Sequence, residues 1–151
     1  MFGDTEEVRA AAQAAHRPID MITASNEQEI DAAFTTIGQM KADALLVLSS
    51  PLFTDRRHQI VALANYQRIP AIYPLREYSA AGGLISYGTS IADAYRLSGV
   101  YTGRILDGAK PNDLPVLQPT KFDLAINLKT AKAIGLEIPP TILALADLVI
   151  E

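Results

Sequence analysis

Arg76 and Glu77 stand side by side in "YPLREYSAAGGLISYG" (residues 73–88), among Tyr73, Tyr78, Tyr87 and the Gly82-Gly83 pair. A cation beside an anion between aromatic rings could move protons, could hold a ligand, or could be the solvated turn after the apolar run "IPAIY". Catalysis needs more parts than the chain offers. His16 and His58 are its two histidines, each on the polar side of a predicted helix, where they read as solvated side chains. No HExxH or comparable ligand spacing occurs, so no metal is expected. Cysteine is absent, which excludes disulfides, thiolate zinc sites and cysteine nucleophiles. Neither "SSP" (49–51) nor "GTS" (88–90) makes the Gly-x-Ser-x-Gly elbow of the hydrolases. Gly82-Gly83 lacks the later glycine of a dinucleotide fingerprint and precedes a strand where that fingerprint precedes a helix, so no cofactor is expected. The residue set suits holding a molecule better than transforming it, and the expectation is a protein that is not an enzyme.

The elements that must position these residues follow from periodicity. "DTEEVRAAAQAAH" reads as a helix with Asp4 or Thr5 as cap and Glu6 and Glu7 in its first turn, where the helix dipole favours acids. "PIDMIT" (18–23) reads as a short strand. "SNEQEIDAAFTTIGQM" opens on a Ser25-to-Gln28 capping box and repeats Ile30, Ala33, Phe34 and Ile37 at helical spacing. "ADALLVLSS" is the nearly unbroken apolar run of a strand buried on both faces of a parallel sheet. A helix over Thr54 to Gln67 follows, with Ile60, Val61, Leu63 and Ala64 inward, then the strands "IPAIYP" and "GLISYG". Ser90 or Thr89 caps a long helix to Asp107 that Gly108 stops. "FDLAIN" alternates Phe122, Leu124 and Ile126 as a strand, Asn127 caps "LKTAKAIG", and Thr141 caps a last helix after Pro139-Pro140. The alternation predicts a single α/β domain over residues 1–151, a Rossmann-like parallel sheet flanked by helices.

In such a sheet ligands collect at the carboxyl ends of the strands. Three segments fall there: "SSPLF", "YPLREY" and "SYGTS". They supply hydroxyls from Ser49, Ser50, Ser86 and Ser90, aromatic faces from Phe53, Tyr73, Tyr78 and Tyr87, and the charges of Arg76 and Glu77. Two readings stay open on chemistry alone: Arg76 and Glu77 as a ligand-holding rim or as a solvated exit turn, and the tyrosines as contacts or as core rings with wet hydroxyls. The chain has 151 residues, is 49% hydrophobic and 20% charged, and carries a formal net charge of −4, which gives a phosphate backbone no basic surface to bind. Nucleic acid is not an expected partner. No apolar stretch approaches the roughly 20 residues that span a bilayer, and "MFGDTEEVRA" lacks the basic and then apolar pattern of a signal peptide.

"ADALLVLSSPLFTDRRHQIVALANYQRIPAIYPLREYSAAGGLISYG" followed by "ADAYRLSGVYTGRILDGAKPNDLPVLQPTKFDLAINLKTAKAIGLEIP" resembles the C-terminal part of ABC-transporter substrate-binding proteins related to tryptophan and aromatic amino-acid binders. The resemblance runs from about Asp4 to the end. It implies the second lobe of a type I periplasmic binding protein, a periplasmic setting, a small organic solute as ligand and an ABC permease as partner. It places Ser49, Ser50, Tyr73, Arg76 and Glu77 toward the ligand, to which the strand-end reading adds Tyr87. It also makes Gly82, Gly83 and Gly88 part of a hinge strand that crosses to a first lobe, against which the 90–107 helix packs through Gly99 and Gly103. Relatives carry a first lobe and a central strand before residue 5 that are not in this sequence. The expectation is therefore an incomplete sheet that covers its edge by pairing with a further copy, as a homodimer or higher oligomer, with the alternative of a self-associating module that holds no transport ligand.

Overall fold

Helix caps fix the element boundaries in the computed structural model, which describes residues 3–118 and 121–151. Helix α1 spans Gly3–Ala14 and α2 spans Glu27–Met40. The capping box of α2 sits one residue later than the sequence suggested: Asn26 Oδ1 accepts from the Glu29 amide at 2.9 Å, and Glu29 Oε2 accepts from the Ser25 amide at 2.7 Å. Lys41, in the left-handed region at φ 52°, ends α2. Strand β1 is Leu45–Leu46, followed by α3 (Pro51–Asp55) and α4 (Arg57–Tyr66), so the helix expected from Thr54 is broken at Arg56. Strand β2 is Ala71–Tyr73, α5 is Arg76–Ala80, β3 is Ile85–Thr89 and α6 is Ile91–Leu106. A 3-10 turn at Pro111–Asp113 leads to β4 (Phe122–Asn127), α7 (Leu128–Ile134), α8 (Pro140–Leu143) and β5 (Leu148–Ile150). Asn127 caps α7 through its side chain and Gly135 stops it at φ 80°, as the sequence predicts.

The sheet order is β1-β2-β3-β4-β5. Strands β1, β2 and β3 are mutually parallel, β4 is antiparallel to β3, and β5 is parallel to β4. The sheet is therefore mixed, a correction to the all-parallel expectation, because the chain leaves β3, runs out through α6 and returns directly beside it. The Ser90 amide donates to the Lys121 carbonyl at 3.1 Å where exit and return meet. "PIDMIT" forms no strand: 18–23 has no ladder partner, and a strand exists only through its ladder. "ADALLVLSS" contributes two ladder residues at the sheet's edge, with Leu46 45% exposed, instead of a strand covered on both sides.

One face of the sheet is packed. Ile30, Phe34 and Ile37 of α2 and Ile60, Val61 and Ala64 of α4 join Val47, Ala71, Tyr73 and Tyr78 in one core. Gln67 Nε2 donates to the Phe34 carbonyl at 2.9 Å, and Arg56 pairs with Glu27 at 3.0 Å, which binds the two helices along their length. The opposite face carries the cross-strand row Leu46, Ile72, Ile85, Ile126 and Val149, together with Tyr87 and Phe122. Leu46, Ile72, Tyr87 and Phe122 on that face stay exposed.

Candidate functional site

The position of Arg76 is set by a polar stitch behind it. Helix α5 lies on the packed side of the sheet, and its residues Tyr78 and Ser79 are wholly buried. The Ser79 hydroxyl stands 2.9 Å from Ser86 Oγ on β3 and 3.4 Å from the Ala125 carbonyl on β4. Asn127 Nδ2 donates to the Ser79 carbonyl at 3.2 Å. The Gly82 carbonyl, just past α5, accepts from Thr130 Oγ1 at 2.8 Å and Asn65 Nδ2 at 3.0 Å. The bonds of Ser79 are buried and join α5 to β3 and β4, and those of the Gly82 carbonyl, partly buried, tie the turn after α5 to α4 and α7.

Tyr73 and Tyr78 complete that anchor. Their rings stack at 4.9 Å between centroids and 14° between planes, and they are 1% and 0% exposed. Among the described residues the Tyr73 hydroxyl has no hydrogen-bond partner, and the Tyr78 hydroxyl has only the nearby Thr54 hydroxyl, which donates to the Ser50 carbonyl at 3.0 Å and keeps its lone pairs free. Burial raises both phenols above their ordinary value; for Tyr73 the neighbouring Tyr78 adds to the rise, and for Tyr78 the nearby Thr54 and Arg57 offset part of it. Of the open alternatives, these two are core rings.

Arg76 lines an open cleft of about 370 Å³ with Lys121, Asp123, Ala125, Asp147 and Leu148. The cleft lies at the end of the sheet where β2 finishes and β4 and β5 begin. Asp123 is 8% exposed, and its Oδ2 makes no hydrogen bond among the described residues. Asp147 uses one carboxylate oxygen to accept the Leu124 amide at 2.8 Å. Among the described residues, neither Arg76 nor Lys121 forms an ion pair. Two cations and two carboxylates thus face one cleft without neutralising each other directly.

The other sequence-derived candidates spread out. Ser49 is exposed, and Ser50 precedes α3 without a side-chain cap bond. Glu77 is half-buried in the first turn of α5. Ser86 turns inward to Ser79, and Ser90 is buried at 5% exposure, so neither hydroxyl reaches a rim. Tyr87 stacks on Phe122 at 5.8 Å on the opposite, open face of the sheet. The glycines have local reasons: Gly82 takes a φ of 101°, a Cβ on Gly83 would meet the Tyr73 ring at 2.6 Å, and one on Gly88 would sit 1.9 Å from the Pro74 carbonyl oxygen. Sequence reasoning missed Lys121, Asp123 and Asp147. The alternation of "FDLAIN" puts Asp123 opposite Phe122, Leu124 and Ile126, on what reads as the solvent side of the strand, so the sequence carried no signal for it; in the structure that face is the packed one.

The pattern of the family described as ABC transporter substrate binding protein matches residues 4–150, nearly the whole sequence. The chain belongs to that family. A comparison with curated protein sequences gives no significant match. Among solved structures, a conserved domain protein from Vibrio cholerae is similar with a TM-score of 0.88 and 23% identity, covering 97% of this chain and 49% of that one. An ABC domain from Streptococcus pneumoniae in complex with L-Trp is similar with a TM-score of 0.87 and 26% identity, covering 98% of this chain and 51% of that one. The ligand-free, open structure of CD0873, a substrate binding protein with adhesive properties from Clostridium difficile, is similar at a TM-score of 0.67 and 20% identity, with 97% and 48% covered. The chain therefore spans about half the length of the solved structures it matches.

Proposed function

We propose that this chain acts as one wall of a solute-binding protein that captures a small organic solute, such as an amino acid, at the strand ends around Arg76 and hands it to an ABC permease outside the cytoplasmic membrane. The observation that carries this reading is the family match over residues 4–150, with the L-Trp complex of the pneumococcal relative as support for the solute class. The cleft lined by Arg76 lies at the end of the sheet where α/β folds collect ligands, which fits the same reading. Ser49, Ser50 and Glu77 are proposed as outer contacts made when a second wall is present, and Gly82, Gly83 and Gly88 as the segment that leads out to it; Tyr87, on the opposite face of the sheet, lies away from the cleft. Thermal unfolding in the presence of each common amino acid at 10 mM, roughly, tests the reading. A subset should raise Tm, since a ligand that binds only the folded chain adds RT ln(1 + [L]/Kd) to its stability, about 1.4 kcal/mol when [L] is ten times Kd. A flat response across the whole set would remove solute binding from this chain.

A second reading, a self-associating α/β module, is favoured by one observation: Leu46, Ile72, Tyr87 and Phe122 leave an apolar sheet face open, and α6 buries no residue. A further copy of this chain would cover them. Sedimentation at micromolar concentration should then show a dimer or larger species, and a clean monomer would sink it.

A further inference from the structure

The two edges of the sheet are defended differently. Strand β5 is bracketed by Asp147 and Glu151, charges of the kind that discourage a further strand from pairing there. Strand β1 closes the other edge, and residues 44–50, "ALLVLSS", hold neither a charge nor a proline. The Leu45 amide donates to the Pro70 carbonyl at 2.8 Å and the Val47 amide to the Ile72 carbonyl at 3.0 Å, which fixes the side that faces β2. Backbone direction alternates along a strand, so the amides of Ala44, Leu46 and Leu48 face away from β2, and among the described residues they donate to nothing. A second run is equally unpaired. Residues 19–24 neither donate nor accept a backbone hydrogen bond among the described residues, although "PIDMIT" has the composition of a strand. The run ends at Ala24, which packs on the same core as Ala42, Leu45 and Val47.

Val47 is buried on the packed face of β1 and Leu46 is exposed on the open face, so anything pairing with this edge meets apolar surface above and below. Charged side chains there would lose hydration without finding a partner, which sets the chemistry of the occupant. We infer that the β1 edge binds one extended peptide strand, apolar on both faces, from another polypeptide. Its backbone pairs with Ala44, Leu46 and Leu48. One row of its side chains extends the core at Ala24 and Ala42, and the other joins Leu46 and Ile72 on the open face. Main-chain bonds supply the affinity and the two apolar rows the selectivity. A single strand fits against β1 with less displacement of the 18–23 run than the whole sheet of a second copy would need. Solute binding plays no part in this contact.

Hydrogen exchange tests it, with a synthetic peptide, Lys-Val-Ile-Val-Ile-Val-Lys, added to the chain. The control is the same peptide N-methylated at each valine and isoleucine, which keeps the apolar side chains and removes the amide donors. The unmodified peptide should slow exchange at Ala44, Leu46 and Leu48 at least about ten-fold, and the methylated one should not. Leu46→Pro deletes an outward donor and leaves the Leu45 and Val47 bonds to β2 in place, so it should weaken the peptide at least about ten-fold. Where that variant does not fold, the methylated peptide decides the matter on the unaltered chain. Equal binding of the two peptides, no protection at all, or protection confined to residues 148–150 at the other edge overturns the inference. Protection of 44–48 that grows with chain concentration and needs no peptide gives the edge to a second copy, and overturns it as well.

Discussion

Two pairs of glycines separate the closed part of this chain from its open part. Gly83 and Gly88 lie where backbone and rings crowd: added Cβ atoms would stand 2.6 Å from the Tyr73 ring and 1.9 Å from the Pro74 carbonyl oxygen. Gly99 and Gly103 lie on α6, where an added Cβ meets nothing within 4 Å. The first pair sits in a region with a continuous core, from Phe34 of α2 to Tyr78 of α5. The second sits on a 16-residue helix with no buried residue, where Tyr95 and Leu106 are 75% and 81% exposed. The difference teaches that the packed half is specified by this chain's own residues, whereas the excursion from Ile91 to Gln118 holds little of its own core. An amphipathic helix draws its stability mainly from the face it buries, so α6 rests on propensity, on the Arg96 to Asp93 pair at 2.8 Å and on the Tyr101 hydroxyl bonded to the Pro115 carbonyl.

The largest effect that would break this comparison is at Gly88. Gly88→Ala places a methyl into a backbone carbonyl that cannot swing aside, and it should cost about 3 kcal/mol of unfolding free energy in urea melts. A loss below roughly 1 kcal/mol would show that β3 and the Pro74 turn part easily, and that the crowding is not what fixes the glycine.

Next in size is the response to base. Tyr73 and Tyr78 have folded values raised above the ordinary 10, so below pH 10 both states hold the phenolic protons and stability is unaffected. Above pH 10 the unfolded chain releases those protons while the folded chain keeps them. Stability therefore falls as pH rises, by about 1.4 kcal/mol at pH 11 for each ring still neutral. Tyr73→Phe should flatten that fall, and absorbance titration should show two phenols ionising only as the chain unfolds. A stability that holds level to pH 11, or a fall that Tyr73→Phe leaves unaltered, would place these rings outside the closed region.

Legibility followed the same division. The periodic helices α2 and α4, the alternating strand β4 and the Asn127 and Gly135 caps could be read from sequence because their signals are local. The sheet's mixed direction could not, since the reversal at β4 depends on where α6 returns the chain. "PIDMIT" has the composition of a strand, but composition supplies no ladder partner. Helix α5 was read as a rim loop because "REYSA" is too short to show a period. Of the residues that line the cleft, the sequence singled out Arg76 alone; Asp123 and Asp147 lie 47 and 71 residues further along, and only the pairing of β4 with β3 and β5 brings them to the same end of the sheet.

The smallest effect probes the open half directly. Gly99→Ala and Gly103→Ala add helix propensity worth about 1 kcal/mol each, and with no atom within 4 Å of either new methyl nothing offsets the gain. Circular dichroism should show a helix that frays at higher temperature, and hydrogen exchange along 91–106 should slow. If the core melts independently of α6, the transition of the packed half should stay where it was. The opposite sign is equally informative. Should either substitution destabilise the chain, the two glycines must face a surface that comes close to α6 in solution, and the smallest residues on that helix would then mark where a second body sits.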